Sequence, residues 1–96
     1  MRGDEIDFRW DYGENGNVLH IAAHGVTVED VLEVFKNAPR FFAGNRRDRA
    51  SHMMIGPNLQ GRYLQVAVDR TFEANVWYVV TANWLQRRRG ERLYHQ

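Results

Sequence analysis

Cysteine is absent from this chain, lysine occurs once, at Lys36, and proline only twice. Without cysteine there is no disulfide, no thiolate zinc site and no cysteine nucleophile. No apolar run reaches the ~18 residues that a membrane-spanning helix needs. The first residues, MRGDEIDF, have no apolar signal core. The expectation is a soluble, cytoplasmic protein without a membrane partner. Repeats, low-complexity tracts and linkers are missing too, so residues 1–96 read as one domain, near the small end of what buries a self-sufficient core.

What is present argues for a folded globule: 44% apolar residues, with three Trp, four Tyr and five Phe. The net charge of +1 hides an uneven distribution. Acidic residues dominate between Asp4 and Glu33. From Arg40 onward, ten Arg face only Asp48, Asp69, Glu73 and Glu91, leaving that half at +6, enough to attract a polyanion. Twelve of the thirteen basic residues are Arg, a bias that genomic base composition alone can produce. Their placement is therefore the stronger signal, because Arg also grips phosphate bidentately and stacks on bases.

Residues 20–35, HIAAHGVTVEDVLEVF, encode two helices and the break between them. Val18, Ile21, Ala22 and Gly25 fall at helical spacing, and Gly25 suits a left-handed C′ position. Thr27 with Asp30 three residues on is a capping-box variant. Val28, Val31, Leu32 and Phe35 then form one apolar stripe. The second helix is expected to run to about Asn37 and to stop ahead of Pro39.

Period-2 alternation predicts a short strand at residues 6–10, and residues 62–69, RYLQVAVD, alternate over a longer stretch. Residues 40–44 and 52–56 read as further strands, with an arginine-dense loop between them. Residues 76–82, VWYVVTA, are apolar on both faces, as a central strand should be. Asn83 is the expected N-cap of a last helix reaching Tyr94, with Gly90 weakening it by ~1 kcal/mol relative to Ala. The sum is an α+β domain: a short N-terminal strand, a helical hairpin packed on a small antiparallel sheet, and a C-terminal helix.

Several short motifs follow one another along the chain: F-R-W-D at Phe8 to Asp11, H-G-V at His24 to Val26, and T-V-E-D-V-L-E-V-F at Thr27 to Phe35. I-G at Ile55 and Gly56, G-R-Y-L from Gly61, V-V-T-A from Val79 and E-R-L-Y from Glu91 follow. In that order they resemble the BrnT family, ribonuclease toxins of bacterial type II toxin–antitoxin pairs with a RelE/ParE-like fold. The resemblance implies a metal-independent endoribonuclease that cleaves mRNA and arrests growth. It implies a cognate antitoxin, contact with operator DNA only through the antitoxin complex, and assembly as a homodimer or a toxin–antitoxin heterotetramer. No cofactor is implied. The chain departs from the family where Asn83 and Trp77 replace basic residues and where the usual Glu-x-Arg is displaced, with Arg49 nearest to it. A second reading follows from those departures: a catalytically degenerate module that binds antitoxin or nucleic acid without cleavage.

Cleavage by 2′-hydroxyl attack needs a titratable group, cations for the phosphorane, and a stacking surface. His52, Arg49, Arg62, Arg92 and Tyr94 are the catalytic candidates. Arg46, Arg47, Trp84 and Arg88 are the RNA-binding ones, because Arg87 to Arg89 point in three directions around a helix and only one or two can face a single partner. Each has a plainer reading. His52 can be a strand-edge histidine, the arginine loop a solvated charge run, and Trp10 and Trp77 core. His20 and His24 stand at i, i+4, a metal-ligand spacing, but no Glu or Asp is placed to complete a site, so a surface or capping role is expected of them.

Overall fold

The computed structural model describes residues 6–44 and 50–96. In chain order these form β1 (Asp7–Arg9), α1 (Asn17–Ala22), α2 (Val28–Phe35), β2 (Arg40–Ala43), β3 (His52–Pro57), β4 (Tyr63–Arg70), β5 (Val76–Trp84) and α3 (Arg87–Tyr94). The strands make one five-stranded sheet in the order β1-β5-β4-β3-β2. The α+β class expected from the sequence is present. The sheet is mixed rather than antiparallel, because β1 runs parallel to β5 through Asp7–Val76, Phe8–Trp77 and Arg9–Tyr78. A parallel pair needs a long crossover. Here that crossover is almost the whole chain, which local patterning does not reveal.

The hairpin forms for the reasons its residues suggest. Gly25 takes φ 76°, while Val26 N–H donates to Ile21 O (3.1 Å) and Gly25 N–H to Ala22 O (2.9 Å). These are the paired bonds of a Schellman stop, and they drop Val26 into the core beside Ile21. Thr27 Oγ1 accepts from Asp30 N–H at 3.1 Å, and Asp30 Oδ2 accepts from Thr27 N–H at 2.9 Å, completing the capping box. α2 then lays Val31 and Val34 against Met54, Leu64, Val66, Val68, Val79 and Ala82, all without solvent exposure.

The opposite sheet face carries α3 at one end. An added Cβ at Gly90 would stand 2.4 Å from the Tyr63 side chain, so the missing side chain is what seats the helix on the strand. The start of α3 corrects the sequence expectation. Asn83 does not cap it, since it pairs with Gln65 in the sheet, and β5 continues to Trp84 opposite Leu64. Gln86 occupies the cap position and makes no side-chain capping bond. The ladder wins because two further bonds hold this end extended: Leu85 N–H to Tyr63 O and the Trp84 indole N–H to Gly25 O, both 2.9 Å.

β1 covers only the first three residues of β5, and α1 covers more of that edge. The Asn17 amide, 2% exposed, donates to Val79 O (3.0 Å) and Arg9 O (2.9 Å) and accepts from Asp11 N–H (2.8 Å). One side chain thus replaces the missing rung of the sheet. His24 Nδ1 donates to Ala82 O at 3.0 Å, a bond to the strand rather than a helix cap.

Candidate nucleic-acid interface

The foot of α3 faces the turn between β3 and β4. Asn58 Oδ1 accepts from Gln60 N–H (3.0 Å) and Arg62 N–H (2.8 Å), and Gly61 supplies φ 82°. This turn holds Arg62 at the rim, its guanidinium carbon 4.1 Å from the centre of the Trp84 ring. The indole N–H bond to Gly25 fixes the ring from its other edge. A cleft of about 410 Å³ lies between turn and helix, lined by Gln60, Gly61, Arg62, Tyr63, Arg87 and Glu91. Arg87 reaches Glu91 at 3.3 Å, one turn along α3. Arg88, Arg89 and Arg92 are exposed, with no ion pair among the described residues. Arg62 and Arg87 are exposed as well, so five guanidinium groups stand around one short helix and its adjoining turn.

Two of the expected site residues serve the fold instead. The Tyr94 hydroxyl donates to Ala38 O at 2.6 Å, its ring packs 5.8 Å from Tyr63, and its carbonyl accepts from Arg40 Nη1 at 2.9 Å. That hydroxyl clamps the start of β2, where Ala38 holds φ 52°, and is committed to a carbonyl rather than to a leaving group. Trp84 lies on β5 and not on the last helix, and the ring face that Arg62 covers is closed to a stacking base.

His52 lies apart. It opens β3, paired with Val68 on one side and Ala43 on the other, while Arg62 adjoins the far end, where Pro57 pairs with Tyr63. Five steps along a strand separate the two by about 17 Å. Its ring stands edge-on to Trp77, 4.9 Å between centres and perpendicular, and its Nδ1 is buried without a hydrogen-bond partner. Alternation along β3 puts His52 on the same face as Met54, the face covered by the hairpin. His52 is therefore not brought together with the other catalytic candidates, Arg62, Arg92 and Tyr94, which lie at the α3 end. Arg46, Arg47 and Arg49 lie outside the described residues.

Sequence reasoning named Gly90 only as a weak point of its helix and missed the roles of Asn17 and Arg40. A glycine inside an otherwise good helix was the available signal for Gly90. Asn17 and Arg40 act through partners 62 and 54 residues away, which no local pattern records. Among the described residues no helix is long and apolar enough to cross a membrane. Comparison with protein-family models, curated proteins and solved structures gives no match for this chain.

Proposed function

We propose that this chain is an RNA-binding protein of the BrnT-like, RelE/ParE-like toxin class, partnered in the cytoplasm by a cognate antitoxin and meeting operator DNA only through that complex. The observation that carries the reading is the charge on α3. Its first turn holds Arg87, Arg88 and Arg89, no acid and no side-chain cap. Cations there oppose the helix dipole, and of the three only Arg87 has a partner within the helix, Glu91. Facing a phosphate backbone, the same charges release counterions and bind. Arg62, braced on Trp84, adds a fixed guanidinium beside them.

Of the two readings drawn from the sequence, the binding module without cleavage has the better geometric support. Endoribonuclease cleavage would need a base at the 2′-hydroxyl within reach of the cations that stabilise the phosphorane. Here His52 and the α3 arginines stand at opposite ends and on opposite faces of the sheet. A filter-binding titration with single-stranded RNA across salt concentrations tests the binding. Three phosphate contacts predict a log–log slope of about −2, at ~0.7 per contact. A flat response removes the RNA reading altogether. Inducible expression in a bacterial host separates the two readings. Growth arrest with RNA cleavage that is lost in His52→Ala would restore the catalytic one.

A further inference from the structure

We propose that His20, in the last turn of α1, and His24, in the turn that follows it, form a binding site for a zinc-class divalent cation. The two rings are neighbours one turn apart, with centres 5.2 Å from each other. The ring planes stand 67° apart, edge to face, so an ion about 2.1 Å from a nitrogen of each ring is reached by a turn of the exposed His20 side chain.

The ring of His24 is already set for the task. Its Nδ1 meets the carbonyl of Ala82, an acceptor only, so the proton sits on Nδ1 and the lone pair on Nε2. Metal-bound histidines are oriented in this way, by a backbone carbonyl behind the ring. His20 is exposed, and no hydrogen bond fixes its ring among the described residues, so its torsions can turn a nitrogen toward the same ion. Glu14 lines the shallow cleft that His20 also lines and adds negative charge on the approach side. No cluster of three or more protein donors forms among the described residues, so water completes the shell. Binding ties the end of α1 to the edge of β5 through His24. The site is separate from the α3 arginines and does not depend on the RNA reading.

The full chain titrated calorimetrically with zinc chloride in a non-coordinating buffer should take up one ion. His20→Ala and His24→Ala should each weaken uptake by about tenfold or more, as loss of one of two protein ligands requires. His24→Asn keeps an amide N–H donor at the position of Nδ1 for Ala82 O and so preserves the fold contact, yet it should lose the ion as His24→Ala does. His95→Ala should bind as the parent does. With copper(II), electron paramagnetic resonance should show two equatorial imidazole nitrogens, and one in either alanine variant. Uptake that survives His20→Ala, or follows His95 instead, overturns the site, as does no uptake at millimolar zinc.

Discussion

α2 and α3 have the same length, eight residues, and opposite designs. α2 opens on a reciprocal capping box with Glu29 and Asp30 in its first turn, and it buries Val31 and Val34. Every local choice there favours the helix. α3 opens without a side-chain cap, carries three arginines where the dipole wants acids, and buries only Gly90. Its hold on the sheet comes from close approach at Tyr63 and from the clamp of Tyr94 and Arg40. One helix is built to stay folded. The other is kept in place by its neighbours while it displays charge.

The comparison can be broken at four places, taken from the largest effect to the smallest. Asn17→Ala leaves two carbonyls and an N–H without their partner beside the hairpin, and should destabilise by about 3 kcal/mol in urea unfolding. A loss under ~1 kcal/mol would mean that water replaces the amide readily. Gly90→Ala should destabilise by about 2 kcal/mol, because the new Cβ meets Tyr63. That sign is the reverse of the ~1 kcal/mol gain that helix propensity alone predicts, so a stabilised variant would show α3 to be loosely seated. Thr27→Ala removes half of the capping box and should cost about 1 kcal/mol, read from the same unfolding curves. Arg88→Glu should raise the melting midpoint by ~1–2 °C while weakening RNA binding and flattening its salt slope by about 0.7. A variant that binds RNA as before would place the contact elsewhere on the molecule.

The features legible in the sequence are those decided within a few residues. The cap at Thr27, the stop at Gly25, the alternation through Leu64, Val66 and Val68, and a strand from Val76 are all of this kind, although the middle of the sheet is β4 and not this strand. The end of β5 was not legible, because Asn83 is a good cap in isolation and only its pairing with Gln65 keeps it extended. The direction of β1 and the role of Asn17 depend on β5, far along the chain. For the site, the arginines were legible as charge, but their separation from His52 was not. That separation follows from strand register, which fixes both the end and the face on which each residue falls.

The parallel pairing of β1 with β5, and the bond from Asn17 to Val79 O, also govern the order in which the molecule can be finished. As the chain is synthesised from its N-terminus, the two helices are complete long before the strand that anchors them exists. Until Val76 to Trp84 emerge, the apolar stripe of α2 has only a partial sheet to cover, and β1 has no neighbour. The first strand must wait for the last. Closure therefore depends on contacts of high sequence separation, which slows folding relative to a helical bundle of equal size. It also makes the newly made N-terminal half the part most in need of protection before release.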